Sequence, residues 1–492
     1  MAAQDNGELI VISVEKAGTL LLSCLVLLLL GASVKPAAGQ ATGGTSPLPT
    51  GQIIETVSCT QDPEQTYALY LPAAYTPAKA WPILYAFDPD ARGIAPVKRY
   101  KDVVEKYGFI LAASNNSRNF SAQESLRGTS AMWQDTHARF SIDPRRTYTT
   151  GFSGGARMAG TVAARCDSCK IAGVIAHGAG YPNGARVEGE RLPYFLSVGD
   201  QDFNWLEVIG IRREREELGL PYRVQVFAGS HQWAPEAVFE EAVEWMQLKA
   251  MQSGSQQRDE AFIDRDWQKT QSQAENARKQ GDAMAELNSL RSLVSDFSGL
   301  RDVTAYQAQL NELKASATLK EALKKEQEQI ATQQSLMDEI SPKISSLGKL
   351  QGEERMTMRS EILGAMTHLK DEGAHNKNEQ KRLVFARSFN GLWAQGVEAG
   401  QAEFEAKHMA TAQDYFQLMG ELDDDPWPAL LLAETHTAMG NRKQAIKDLR
   451  EAVKRGVKRP EVFEKDRNLQ ALASEADFQK LVAEMKSKAT VR

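Results

Sequence analysis

Between residues 45 and about 250 the chain repeats one rhythm: a short apolar run, a turn, then a stretch with helical spacing. The apolar runs are YALYLP (67–72), PILYAF (82–87), FILAAS (109–114), RTYTT (146–150), IAGVIAHGAG (171–180), PYFLSVG (193–199) and RVQVFAG (223–229). Runs this short, closed by Gly, Pro, Asn or Asp, mark strands, and continuous apolarity marks burial on both faces. Helical spacing fills Val97–Tyr107, the segment around Trp133, and ARMAGTVAAR after Ser153. Strands alternating with helices predict an α/β fold, a mostly parallel sheet covered by helices on both faces.

From about residue 255 the texture changes to Gln, Glu, Lys and Ala with helical periodicity and few glycines. The polar stretch MQSGSQQRDE (251–260) marks the junction and reads as a flexible connection. Within the second half a pattern recurs: Ala412, Phe416 and Met419 return 33 residues later as Ala445, Leu449 and Ala452, with Gly400 matched by Ala433. A period near this, with small residues where helices touch and Gly440 at the turn, resembles the tetratricopeptide repeat. Residues 275–297 fit a more divergent helix–turn–helix unit, and LKEALKKEQEQIATQQ a charged helix with a solvated face. The segments expected are therefore 1–44, an N-terminal leader or anchor; 45–252, the α/β domain; 253–388, a helical region; and 389–492, helical repeats.

The leader reading rests on TLLLSCLVLLLL (19–30), preceded by Lys16 and followed by small residues near Ala37, Gly39 and Ala41. This is the layout of a secretory signal, and its length also leaves membrane anchoring open. The chain is thus expected to be exported, periplasmic or secreted. Removal of the leader leaves Cys59, Cys166 and Cys169, an odd count that permits one disulfide; a local bridge within CDSC is favoured over a redox or metal pair. A formal charge of −6 without a basic stripe argues against nucleic acid as a partner.

The chemistry-bearing stretch is YTTGFSGGARMAG (148–160). Gly151-Phe152-Ser153-Gly154-Gly155 fits G-x-S-x-G, with a strand before it and a helix after it. A chain leaving a strand for a helix in one sharp turn lifts the serine hydroxyl into a cleft, and the flanking glycines let neighbouring backbone approach. A serine needs a base, and the base an orienting acid. GDQDFNW offers Asp200 and Asp202 after one strand, and GSHQW offers His231 after the next, so Ser153, Asp202 and His231 follow the order serine, acid, histidine. Asp202 is preferred because a G-x-x-D turn extends from the strand end; Asp200 reads as a turn residue bonding its own backbone. His177 reads as structural or pocket-lining. An oxyanion hole would use the N–H of Gly154 and a second from FDPDARG (87–93), where Pro89 has none and Asp90 is chosen over Ala91. Only about a dozen residues separate the strands ending near Gly180 and starting near Pro193, which predicts an open cleft without a lid. Trp133, Trp205 and Trp233 are candidates to line it.

Together YLPAAY, PILYAFDPDARG, NNSRN, GFSGGARMA, GDQDFNW and GSHQW resemble the α/β-hydrolase superfamily, nearest to exported esterases similar to polyhydroxybutyrate depolymerases, feruloyl esterases and dienelactone hydrolases. The resemblance covers residues 50 to 250 and departs from the family at the oxyanion loop, which lacks the His-Gly form. It implies Ser153 as nucleophile, His231 as base, Asp202 as acid, and neither metal nor organic cofactor. The function expected is hydrolysis of a small-molecule or polymer ester, with the repeats docking a protein partner. The alternatives are a serine peptidase and an inactive hydrolase-fold scaffold.

Overall fold

The computed structural model describes residues 48–119, 121–181 and 192–490, and the expected leader lies outside them. The first part is β1 (Ile53–Ser58), β2 (Thr66–Tyr70), β3 (Trp81–Phe87), α1 (Ile94–Tyr107), β4 (Ile110–Ser114), α2 (Ala122–Arg139), β5 (Ile142–Phe152), α3 (Gly154–Arg165), β6 (Gly173–His177), β7 (Tyr194–Gly199), α4 (Trp205–Glu217), β8 (Tyr222–Phe227) and α5 (Glu236–Gln252). Eight strands form one sheet in the order β1-β2-β4-β3-β5-β6-β7-β8. The β1–β2 and β2–β4 pairs are antiparallel and every pair from β3 to β8 is parallel. This is an α/β-hydrolase sheet.

Alternation along β3 shows how both faces are covered. Leu84 and Ala86 join the cluster built with Tyr100, Val103 and Val104 of α1 and Phe239, Val243 and Trp245 of α5. Tyr85, between them, points to α2, with its hydroxyl on Thr136 and its ring stacked on Trp133. Thr149 of β5 likewise bonds the Ala159 carbonyl of α3. The inner strands β3, β4, β6 and β7 thus bury both rows of side chains, which is why their sequences read as continuous apolar runs. The strand β1 was not anticipated. It is an edge strand with both middle residues, Glu55 and Thr56, exposed, so its apolar signal is weak.

The second part is helical: α6 (Glu260–Gln280), α7 (Ala283–Phe297), α8 (Thr304–Ala315), α9 (Ala317–Leu347), α10 (Gly352–His375), α11 (Glu379–Glu405), α12 (Met409–Leu422), α13 (Trp427–Ala438), α14 (Arg442–Arg455), α15 (Glu461–Glu464) and α16 (Ala476–Thr490). Local chemistry sets several starts. Asp259, Asp282, Ser316, Asn378 and Asn441 each cap a first turn by accepting a backbone N–H three residues on. Gly281, at φ 72°, and Gly440, at φ 76°, make the left-handed turns between α6 and α7 and between α13 and α14. The recurring positions Ala412, Phe416, Met419, Ala445, Leu449 and Ala452 are all buried at helix contacts.

The junction is not the flexible connection the polar stretch 251–260 suggested. Leu248 and Met251 of α5 share one buried cluster with Phe262 and Ile263 of α6, Phe297 of α7 and Leu300. Residues Pro49–Arg492 accordingly form one compact unit.

Candidate active site

At the end of β5 the chain turns into α3 within one residue. Ser153 has φ 54° and ψ −123°, a conformation that costs a non-glycine residue on the order of 1–3 kcal/mol and persists only where the surroundings impose it. The surroundings are backbone. A Cβ on Gly151 would lie 2.1 Å from the Gly155 carbonyl oxygen, and one on Gly155 would lie 2.0 Å from that of Phe87. Both glycines are therefore required by contact, and Ser153 N–H is held by the His177 carbonyl at 2.9 Å.

The structure brings Ser153, His231 and Asp202 together. His231 Nε2 lies 2.8 Å from Ser153 Oγ, and Nδ1 lies 2.9 and 3.0 Å from the two carboxylate oxygens of Asp202. Asp202 is fully buried, and its Oδ1 also accepts the Asn204 N–H at 2.8 Å. Asn204 in turn donates its side-chain amide to the Gly178 carbonyl at 2.6 Å. The imidazole sits between two rings, Phe152 at 4.5 Å and Phe203 at 4.1 Å. A carboxylate on Nδ1 fixes the tautomer that leaves Nε2 free to accept a proton from the serine hydroxyl. The arrangement can therefore deprotonate Ser153 as it attacks and stabilise the imidazolium that results.

Asp200 takes a different part. Its carboxylate accepts the Gly229 N–H at 3.0 Å, tying the β7 turn to the loop that carries His231, rather than bonding its own turn. His177 is fully buried with Nδ1 2.6 Å from Ser197 Oγ, and burial pushes its pKa down to about 3, so it stays neutral and structural.

The oxyanion side departs from expectation. Gly154 N–H opens α3 beside the serine, but the Asp90 N–H donates to Asp88 Oδ1 at 3.0 Å and the Ala91 N–H to the Asp88 carbonyl at 3.3 Å. Neither amide of FDPDARG is free to meet a substrate oxygen. Asp88 is buried and also binds Arg92 and, at 2.9 Å, the indole N–H of Trp233, two residues beyond His231. The loop thus clamps the histidine loop. A residue the sequence reading passed over, Asn119, lies over the elbow: a Cβ on Gly154 would fall 1.7 Å from its Oδ1, and its backbone N–H binds the Pro89 carbonyl. Its signal was present in NNSRN, but nothing local shows that this loop folds onto the serine. Of the tryptophans, Trp233 serves that clamp, Trp133 stacks on Tyr85 and His137, and Trp205 lies buried beneath Arg387.

Helix α11 packs against the turn that follows β7. Arg387 donates to the Asp200 carbonyl at 3.0 Å and stacks over Trp205 at 4.0 Å; Asn390 donates to the Gln201 carbonyl at 2.9 Å. A Cβ on Gly391 would lie 3.4 Å from Phe203 Cβ. A helix more than 180 residues downstream thus covers the turn bearing Asp202, a contact that no spacing between β6 and β7 can reveal. Residues 182–191 of that spacing lie outside the described residues. Among the described residues no group of three or more His, Cys, Asp or Glu is placed to hold a metal, and no helix is long and apolar enough to cross a membrane. Cys166 and Cys169 form a disulfide, and Cys59 is a buried free thiol.

No family model and no curated protein matches this chain. Among solved structures it is similar to the fluorophosphonate-binding serine hydrolase FphF of Staphylococcus aureus, at 13% identity over 40% of this chain and 98% of that one, TM-score 0.33. It is also similar to a ferulic acid esterase, at 16% identity over 40% and 96%, TM-score 0.33. A third is the S-formylglutathione hydrolase FrmB of Staphylococcus aureus, at 13% identity over 41% and 99%, TM-score 0.32.

Proposed function

We propose that the protein is a serine hydrolase acting on carboxylic esters. The observation that carries this reading is the continuous hydrogen-bonded line from Ser153 Oγ through His231 to buried Asp202, mounted on a strained turn. Ser153 Oγ attacks the ester carbonyl carbon while His231 Nε2 takes its proton. The tetrahedral oxyanion meets the Gly154 N–H. Collapse breaks the bond to the alcohol oxygen, which leaves with the proton from His231, and an acyl-serine remains. Water then repeats the sequence: His231 takes its proton, hydroxide adds to the acyl carbon, and the acid leaves as Ser153 Oγ recovers the proton. Every proton is accounted for by one imidazole.

The apolar leader and the Cys166–Cys169 bridge support placement outside the cytoplasm, since disulfides persist in oxidising compartments. The test is hydrolysis of short aryl esters by wild type, Ser153→Ala and His231→Ala. Loss of turnover in both variants, with folding intact by circular dichroism, is the expected result; equal turnover in all three overturns the reading.

A further inference from the structure

A tetrahedral oxyanion is best held by two donors, and the amides of Asp90 and Ala91 are both captured within their own loop. The Gly154 N–H remains, in the first turn of α3 where backbone donors have no partner inside the helix. The side-chain amide of Asn119 lies on this same residue. A Cβ at Gly154 would fall 1.7 Å from Asn119 Oδ1, 2.8 Å from Cγ and 3.3 Å from Nδ2. The glycines of the turn thus have different reasons. Gly151 and Gly155 are pressed by backbone carbonyls, whereas Gly154 is pressed by one side-chain amide. The missing side chain at 154 is what lets Asn119 close over the elbow.

The backbone that carries Asn119 is held along its length. Ser114 Oγ accepts the N–H of Asn116 at 3.1 Å and that of Ser117 at 3.0 Å. Ser125 Oγ accepts the Arg118 N–H at 3.0 Å, and the Pro89 carbonyl accepts the Asn119 N–H at 2.8 Å. A bridge between Asp90 and Arg118 joins the two loops. The Asn119 side chain, by contrast, has no hydrogen-bond partner among the described residues. A half-turn about its Cβ–Cγ bond exchanges Oδ1 with Nδ2, so it can present an N–H beside Gly154 without breaking a hydrogen bond. A donor on a fixed backbone stabilises developing charge with little reorganisation.

We propose that the Asn119 side-chain amide is the second oxyanion donor, acting with the Gly154 N–H on the intermediate formed at Ser153. This deepens the ester-hydrolase reading of the same site and rests on it. As Ser153 Oγ bonds to the carbonyl carbon, the π pair of the C=O bond moves onto oxygen. The Gly154 N–H and an Asn119 Nδ2–H bind that charge and give up no proton. On collapse the pair returns to the carbonyl, and the alcohol leaves with the proton held by His231. Deacylation uses the same two donors.

The experiment measures kcat and KM for phenyl acetate in the full chain, for wild type, Asn119→Ala, Gly154→Ala and the double variant. Removing one oxyanion donor costs on the order of 10²–10³ in kcat, so Asn119→Ala is expected to lower kcat about 100-fold with KM little changed. Gly154→Ala keeps its own N–H at a helical position, but its methyl displaces the Asn119 amide. It is expected to lose a similar factor, and the double variant no more than either single one. A trifluoromethyl ketone, which adds to the serine as an oxyanion, reads the same donors without turnover. Its Ki is expected to rise in Asn119→Ala by about the factor that kcat/KM falls. An unchanged kcat in folded Asn119→Ala, losses that multiply in the double variant, or a Ki that stays at the wild-type value overturns the proposal, while Ser153-dependent turnover by wild type leaves the hydrolase reading standing. A wild type that hydrolyses no aryl ester and whose Ser153 does not react with a fluorophosphonate overturns both.

Discussion

Ser153 shows what a single residue can carry. Its backbone conformation, its contact with His231 and the two glycines pressed against carbonyl oxygens are all consequences of one five-residue pattern. That pattern was legible because its requirements are local. The same holds for Asp202 and His231, which sit directly after strands that the apolar runs had already located. The Asp90 amide was misjudged because the neighbouring Asp88 side chain captures it, and side-chain capture of a backbone amide leaves no trace in spacing. Asp202→Asn tests the geometry at this scale. The amide preserves size but donates where a carboxylate accepts, which disfavours the tautomer with a free Nε2. Ester turnover is expected to fall by roughly 10³–10⁴ with KM little changed and the melting temperature within a few degrees of wild type.

Between elements, the joints are made by charge as much as by apolar packing. Asp296 of α7 is buried between Arg223 of β8, at 2.8 Å, and Lys249 of α5, at 2.8 Å. Burial alone would raise its pKa, but Lys249 and Arg223 outweigh that and hold it below the ordinary carboxylate value. A depressed native value means the stabilisation is present above the unfolded pKa and is lost as pH falls through the native one. Asp296→Ala takes from Lys249 its carboxylate partner and leaves buried Arg223 with Glu241 alone, and is expected to cost about 3 kcal/mol at neutral pH. Urea titrations of both proteins should show the gap narrowing as the pH is lowered towards the acid range. The helices themselves were readable from their caps and periodicity. Which of them would meet the sheet was not, because Arg387 and Asp200 are joined by a contact spanning almost 190 positions. Burial between α11 and the α/β part lowers the Arg387 pKa to about 10, still well above neutrality, so this joint keeps its charge.

Across the whole molecule, the α/β part and the helices share a core at the 252/253 boundary, so sequence texture marked a change of architecture rather than a separable hinge. A chain ending at residue 252 exposes Leu248 and Met251 and removes the roof over the Asp202 turn. It is expected to lose cooperative thermal unfolding, whereas the full chain keeps it; a sharp, reversible melt of the truncated protein would count against a shared core. At the far end, Glu434 of α13 is buried against Asp466, with Asn468 donating to it at 2.6 Å. Burial, reinforced by Asp466, raises its pKa, so the native state holds this proton more tightly than the unfolded chain does. That contribution is complete below the unfolded value and disappears as pH rises through the native one. Wild type should therefore melt at lower temperature at pH 9 than at pH 6, and Glu434→Gln should flatten the difference.

The proposed hydrolysis rests on a nucleophile activated by His231, and one measurement addresses it directly. The full chain is incubated with a fluorophosphonate and digested, and the modified peptide is located by mass spectrometry. One phosphonyl group per chain on the peptide containing Ser153, absent from Ser153→Ala and greatly slowed in His231→Ala, is the predicted result. An unmodified Ser153 in folded protein, or labelling that persists equally in both variants, would contradict it.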